Sequence, residues 1–114
     1  GSIAAAAAEY LLGCEDHLTR SRELIAEELN YLIPALKDLG LDPLPSQVNF
    51  ILVNIESAGL GSDILAERTM ARGVLVRDCQ SFGLEKSYIR VAVRGHEENE
   101  RLIDVLERAL RCKD

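Results

Sequence analysis

The chain has 114 residues, of which 47% are hydrophobic and 28% are charged, and its formal net charge is −6. This length predicts one domain, residues 1–114, with a single core, and is short for a complete cofactor-dependent enzyme. The acidic balance argues against a nucleic-acid partner, since phosphate backbones are bound by clustered lysines and arginines.

No apolar run approaches the roughly 20 residues that span a bilayer, so we expect no membrane partner. The three cysteines are odd in number and lack the spacing of a zinc site. This pattern favours a reduced, cytoplasmic protein without a metal site.

Two helices are predicted before the first strand. One covers Ile3 to about Leu12 and is broken by Gly13, and the other begins near Asp16. Apolar residues at helical spacing trace one core-facing stripe along the second helix: Leu18, Ile25, Leu29, Leu32, Leu36 and Leu39. Pro34 lacks a backbone N–H and is expected to kink this helix, and Gly40 is expected to end it in the left-handed conformation.

Three strands and two more helices are predicted in the rest of the chain. Pro43 and Pro45 indicate a loop, and the apolar run after them predicts a strand that is buried on nearly both faces. The expected elements are a strand Asn49–Ile55, a glycine-rich turn Ser57–Ser62, a short helix ended by Gly73, a strand Val74–Arg77, a polar loop Ser81–Lys86, a strand Tyr88–Val93 and a helix from about Glu97 to Arg111.

The order of these elements predicts the α+β class. We expect a two-layer sandwich in which helices cover one face of a small, mostly antiparallel sheet. The residues alone would also allow a ferredoxin-like module. Alternation in the last strand separates Ile89, Val91 and Val93 on one face from Tyr88, Arg90, Ala92 and Arg94 on the other.

Two strand-borne arginines, Arg77 and Arg90, are the strongest candidates for a binding site. Each ends or lies in an apolar run beside a glycine-containing loop, and a guanidinium binds an anion through paired hydrogen bonds. The alternative is structural: an ion pair of Arg90 with Glu85, Asp78 or a helix acid, and of Arg77 with Asp78. Arg94 is weaker, since it could add a second contact or lie at the rim.

The other polar candidates are expected to be structural or solvated. We expect His96 to be a capping or solvent residue and His17 to be exposed. Cys79 is expected to be a small half-buried residue rather than a reactive thiol. The acids Glu97, Glu98 and Glu100 are expected to form a solvated first helical turn. Ser57–Ser62 is not a phosphate loop, because no Lys-Ser or Lys-Thr follows its glycines.

Three segments carry a family resemblance: PSQVNFILV from Pro45 to Val53, VLVRDCQSFGLEKSYIRVAVR from Val74 to Arg94, and HEENERLIDVLERAL from His96 to Leu110. Together they resemble the carboxy-terminal small domain of fold-type I pyridoxal-phosphate enzymes. The most similar group contains histidinol-phosphate aminotransferases and threonine-phosphate decarboxylases. The RDC and YIRVAVR motifs within the second segment resemble the decarboxylases more.

The resemblance implies the aminotransferase small-domain architecture and a phosphorylated amino-acid substrate. It implies that Arg90 binds the substrate α-carboxylate, that Arg77 reaches toward the substrate phosphate, and that Arg94 adds a further contact. It also implies that the domain helps to close the site over substrate, and that the full-length enzyme is a homodimer.

Pyridoxal phosphate requires a lysine for its Schiff base. The lysines here are Lys37, Lys86 and Lys113, and none lies in a context resembling the family's Schiff-base motif. We therefore expect no catalytic and no cofactor-binding residue in this chain, an inactive isolated domain, and a large cofactor-binding domain elsewhere in the full-length enzyme.

Three functions are compatible with these residues and with the resemblance. The first is threonine-phosphate decarboxylation in cobalamin biosynthesis, and the second is histidinol-phosphate transamination. The third belongs to another class: a non-catalytic regulatory module that binds an anionic metabolite on the same arginines.

Overall fold

A computed structural model describes residues 2–82 and 87–111. In this part of the chain, three α-helices cover one face of a four-stranded antiparallel sheet. The predicted α+β sandwich is confirmed. The loop predicted at Ser81–Lys86 lies mostly outside the described residues.

The first element, α1 (Ser2–Asp38), is one continuous helix. The break predicted at Gly13 is wrong: a glycine inside a helix costs only about 1 kcal/mol relative to alanine, and the alanines, leucines and glutamates of the surrounding segment are good helix formers. Pro34 lies inside α1 and does not end it. Gly40 follows with a φ of 85°, as expected for a left-handed residue after a helix.

Only the second half of α1 packs on the core. Leu29, Leu32 and Leu36 are buried, whereas Leu18, expected in the same stripe, is 54% exposed. Large apolar side chains are exposed along the first half: Ile3, Tyr10, Leu11, Leu12 and Leu18. This half therefore presents apolar surface that no other part of the described chain covers.

The sheet contains β1 (Asp42–Pro43), β2 (Phe50–Asn54), β3 (Arg77–Asp78) and β4 (Tyr88–Ala92), in the spatial order β1-β2-β4-β3. The sequence predicted a loop where β1 forms, and β1 is a two-residue edge strand, a position at which proline is tolerated. The strands predicted at Asn49–Ile55 and Tyr88–Val93 are confirmed as β2 and β4. The strand predicted at Val74–Arg77 is mostly wrong, because β3 contains only Arg77 of that range and continues to Asp78.

Side chains of β2 and β4 alternate between the core and the outer face. Ile51, Val53, Ile89 and Val91 are fully buried beneath the helices. The burial predicted on nearly both faces of β2 is wrong, because the helices cover only one face and Phe50 lies exposed on the other.

The remaining helices are α2 (Ser62–Met70) and α3 (His96–Arg111). α3 buries Leu102 and Leu106 as expected, together with Val105 in place of the half-buried Ile103. Among the described residues, no helix combines the length and the apolar character that crossing a membrane requires.

We predict that the exposed half of α1 makes the isolated chain self-associate and bind a hydrophobic dye. Replacing Leu11, Leu12 and Leu18 by Gln should abolish both effects without unfolding the domain, since these side chains do not contact the core. Replacing Ile64 and Met70, exposed on α2, by Gln provides the matched control. Sedimentation measures the self-association, and dye fluorescence measures the exposed apolar surface. A parent chain that stays monomeric at high concentration and binds no dye would refute the prediction.

Candidate functional site

The register of β3 against β4 brings two predicted arginines together. Arg77 lies directly opposite Arg90, and Asp78 lies opposite the buried Ile89. Since strand side chains alternate, Arg77 and Arg90 share the outer face, where cross-strand Cβ atoms are about 5 Å apart. Two like charges in such positions repel each other, and an anion between them would remove the repulsion.

The ring of Phe50, on the neighbouring strand β2, orients Arg90. The Arg90 guanidinium carbon lies 5.1 Å from the centre of this ring, which is a cation–π distance. Arg90 is half-buried, whereas Arg77 is exposed. The two guanidinium groups therefore differ: one is packed on an aromatic face and the other extends into solvent.

The structure tests one of the structural alternatives for these arginines. The Asp78 carboxylate accepts hydrogen bonds from the Ser62 hydroxyl at 2.8 Å and from the backbone and side chain of Gln80 at 2.9 and 3.1 Å. Within the described residues Asp78 forms no ion pair with Arg77, which faces the other side of the sheet. Glu85, suggested as a partner of Arg90, lies outside the described residues.

A cleft of about 600 Å³ opens beside the end of β4, and we call it the arginine cleft. Arg77, Arg90 and Arg94, the three arginines selected from the sequence, all line it, as does Arg101 on α3. It exists because β3 pairs with β4 only as far as Arg90, so that the next residues of β4 have no partner strand on that side within the described chain.

Arg101 is a cleft residue that the sequence patterns did not identify. Its Nη2 donates a hydrogen bond to the Arg72 carbonyl at 3.2 Å. The same nitrogen would lie 3.2 Å from a Cβ at position 73, where Gly73 has a φ of 82°. The sequence feature that could have identified Arg101 as a cleft residue is its position one turn after Glu98, on the side of α3 that faces the end of β4.

Glu98 is the one acid among the described residues that line the arginine cleft. Its carboxylate lies 3.8 Å from Nε of Arg94, and both side chains are about two-thirds exposed. An exposed pair at this distance contributes little to stability. Arg94 can therefore leave Glu98 for a bound anion at little cost.

A polar cluster, formed by the buried Glu28 and Asn99 and the half-exposed His96, connects α1 to the start of α3. The Glu28 carboxylate is 6% exposed and accepts hydrogen bonds from His96 Nδ1 and Asn99 Nδ2, each at 3.0 Å. His96 also lies 3.2 Å from Glu100 and packs against the ring of Tyr31. His96 opens α3 and its side chain is 53% exposed, as expected of a residue at a helix start, and it also pairs with Glu28, which the sequence did not predict.

The sequence held a signal for this cluster. Glu28 lies at the core-facing position between Ile25 and Leu32, where an acid is unusual. Buried acids require partners. The residues that satisfy this one lie about 70 positions further along the chain, so that local patterns could not identify them.

The cluster changes the pKa of two of its members. The hydrogen bond from Asn99, followed by the interaction with His96, lowers the pKa of Glu28. The hydrogen bond to Glu28 raises the pKa of His96, and the nearby Glu100 adds to this effect. Both shifts favour a charged pair, so His96 is protonated more readily than in the unfolded chain.

Cys79 is fully buried, beyond the half-burial that was expected. Burial raises the pKa of its thiol. A neutral thiol is a poor nucleophile, so Cys79 is a packing residue rather than a reactive one.

The described residues do not fit covalent attachment of pyridoxal phosphate. Lys37 is exposed near the end of α1 and is not among the residues that line the arginine cleft. Lys86 and Lys113 lie outside the described residues. Within residues 2–82 and 87–111, no three His, Cys, Asp or Glu side chains form a group that could hold a metal ion.

We predict that His96 stabilises the fold in a pH-dependent way. Because its folded pKa is raised, its contribution is complete below the ordinary histidine value of about 6.5 and is lost as the pH rises through the folded value. On the acid side, the contribution of Glu28 is lost as the pH falls below about 4.5 through its lowered pKa.

The measurement is urea unfolding of the parent, His96→Gln and His17→Gln chains across this pH range. The stability gap between the parent and His96→Gln should be widest at mildly acidic pH and should narrow on alkalinisation. His17 is exposed on α1 and serves as the matched control. A stability difference between the parent and His96→Gln that is independent of pH would show that the His96–Glu28 pair does not stabilise the fold through its charge.

Comparison with known proteins identifies a family and several relatives that the chain resembles. Residues 1–106 match the family described as aminotransferase class I and II. The chain is 38% identical over 108 residues to the histidinol-phosphate aminotransferase of Methanopyrus kandleri, covering 93% of this chain and 28% of that protein. It is 37% identical to the adenosylcobalamin biosynthesis bifunctional protein CobDQ of Leptospira interrogans, covering 90% of this chain and 12% of that protein.

A solved structure shares the fold. The histidinol-phosphate aminotransferase from Clostridium acetobutylicum is similar with a TM-score of 0.77 at 21% identity, over 84% of this chain and 29% of that chain. The chain thus spans less than a third of the length of each of these proteins. The resemblance inferred from the motifs is confirmed: the chain belongs to the aminotransferase class I and II family, which depends on pyridoxal phosphate.

Proposed function

We propose that the chain is the substrate-binding small domain of a cytoplasmic pyridoxal-phosphate enzyme that acts on a phosphorylated amino acid, with threonine-phosphate decarboxylation as the first candidate. The observation that carries this proposal is the placement of Arg77 and Arg90 opposite each other on the outer face of the sheet, at the arginine cleft. No catalytic residue is assigned to this chain.

The chemistry of the substrate matches this pair. Threonine phosphate carries a carboxylate and a phosphate, and each can accept paired hydrogen bonds from a guanidinium. We assign the carboxylate to Arg90, which is half-buried on Phe50, and the phosphate to the exposed Arg77. Arg94 supplies a further contact. The cleft volume of about 600 Å³ lies within the usual range of small-ligand sites.

The other parts of the enzyme belong to residues beyond this domain. The described residues provide no lysine in the arginine cleft, and the chain spans about 28% of the aminotransferase from Methanopyrus kandleri. In the proposed division of labour, a large domain holds the cofactor and carries out proton chemistry. This domain binds and orients the substrate and helps to exclude water from it, in a full-length homodimer.

Histidinol-phosphate transamination is the second candidate. It is supported by the 38% identity to an aminotransferase of that name over 93% of this chain. Histidinol phosphate has a phosphate but no carboxylate, so the arginine pair would face one anionic group instead of two. Release of carbon dioxide from threonine phosphate separates the two candidates.

A free-standing regulatory module is less well supported. Such a module would have to expose the large apolar side chains of the first half of α1 to water, among them Tyr10 at 73% and Leu11 at 62%. An apolar surface of this kind is typical of a domain that docks on another one.

We predict that Arg90 and Arg77 separate in a kinetic comparison on the full-length enzyme. Arg90→Ala should lose about 2–5 kcal/mol of transition-state binding with threonine phosphate and with threonine alike, because both carry the carboxylate. Arg77→Ala should lose a similar amount only with threonine phosphate. The measurement is kcat/KM for each variant on both substrates.

Arg108→Ala is the control, because Arg108 is an exposed arginine of α3 that pairs with Asp104 and does not line the cleft. Its kinetics should equal those of the parent. Equal losses for Arg77→Ala on both substrates, or normal activity for Arg90→Ala, would contradict the assigned roles.

A further inference from the structure

We propose that Asn99 is a positioning residue that fixes the backbone of Arg94, so that the Arg94 guanidinium enters the arginine cleft as a third contact for the anionic substrate. The inference rests on the proposed function, because it requires that the cleft binds an anion. Asn99 itself lines the arginine cleft, but its side-chain amide is engaged by Arg94 and Glu28, so it acts through Arg94.

Asn99 binds both polar groups of the Arg94 backbone. Its Oδ1 accepts a hydrogen bond from the Arg94 N–H at 3.0 Å, and its Nδ2 donates to the Arg94 carbonyl at 2.8 Å. The Asn99 side chain is 1% exposed, so water does not compete for these bonds. This paired geometry defines the position from which the Arg94 side chain leaves the main chain.

Arg94 depends on this contact because it lies between two elements. β4 ends at Ala92 and α3 begins at His96, so neither strand pairing nor helix bonding includes Arg94. Its side chain is 65% exposed and has the weak contact with Glu98. A displacement of about 1 Å at such a position can cost up to about 100-fold in rate or affinity for an oriented contact.

Glu28 determines the orientation of the Asn99 amide. Its buried Oε1 accepts the second hydrogen of Nδ2 at 3.0 Å, which requires nitrogen rather than oxygen on that side of Asn99. The oxygen must then face the Arg94 N–H. Only an amide satisfies all three contacts, since a carboxylate at position 99 would face the Arg94 carbonyl with a second acceptor.

The pair of residues allows a charge-neutral exchange as a test. In Glu28→Gln/Asn99→Asp the carboxylate and the amide change places, so that the amide introduced at position 28 can donate to the carboxylate introduced at position 99. The bond between α1 and α3 is thereby kept, and the net charge of the pair is unchanged. The bond to the Arg94 carbonyl is replaced by a repulsive contact, and His96 faces an amide instead of the Glu28 carboxylate. Affinity and unfolding free energy are therefore also measured for His96→Gln, which removes the His96 contact alone, so that positioning of Arg94 is separated from helix packing.

The experiment is an NMR titration of the chain with L-threonine O-phosphate. The exchange variant should bind it about 10-fold or more weakly than the parent, by the same positional argument. Arg94→Gln should lose a similar factor. Adding the exchange to Arg94→Gln should produce no further loss, because both changes remove one contact. Asn30→Asp, the same substitution at an exposed position of α1, should bind like the parent.

A purely structural role for Asn99 predicts another pattern. The exchange variant would then lose unfolding free energy without losing affinity, or its affinity loss would add in full to that of Arg94→Gln. Either result would overturn the inference while leaving the proposed function intact. If the parent chain does not bind threonine phosphate, or if Arg90→Gln binds it as well as the parent, the proposed function fails and this inference fails with it.

A measurement on the parent chain covers the case in which the exchange variant does not fold. The Arg94 amide should exchange slowly with solvent, and the side-chain amide signals of Asn99 should shift as threonine phosphate binds. Exchange of the Arg94 amide at the rate of an unprotected peptide would contradict the paired hydrogen bonds and the inference together.

Discussion

The antiparallel pairing of β3 with β4 is the contact on which the candidate site depends. β3 has only two residues, so the pairing consists of Arg77 opposite Arg90 and Asp78 opposite Ile89. The inner pair stabilises it, because Ile89 is fully buried and Asp78 accepts a hydrogen bond from Ser62 on α2. The core thereby fixes two cations side by side on the outer face, where their own interaction would separate them.

A second constraint governs the link between α1 and the cleft. Glu28 is a buried acid, which is costly unless its partners all donate to it. His96 and Asn99 do so, and among the described residues no buried side-chain nitrogen or oxygen lacks a hydrogen-bond partner. Helix α1, whose first half carries the exposed apolar surface, is therefore connected through Glu28 and Asn99 to the backbone of Arg94, which lines the cleft.

Local patterns predicted the fold class and the outer face of β4, because strand alternation requires only neighbouring residues. They failed at Gly13, where a small local penalty is outweighed by the rest of a long helix, and at β1, where a two-residue strand containing Pro43 has no local signature. The register of Arg77 against Arg90 and the contact between Glu28 and Asn99 join distant segments. Such contacts follow from the packed structure, and no period in the sequence encodes them.

The central claim is that Arg77 and Arg90 bind one anionic ligand together. It is tested most directly by following the side-chain N–H signals of ¹⁵N-labelled arginines in this chain as L-threonine O-phosphate is added. We expect saturable shifts at Arg77 and Arg90 with a common affinity, and unchanged signals at Arg108 and Arg111, which pair with acids on α3 and do not line the cleft. Shifts of equal size at all four arginines, or none that saturate at Arg77 and Arg90, would contradict it.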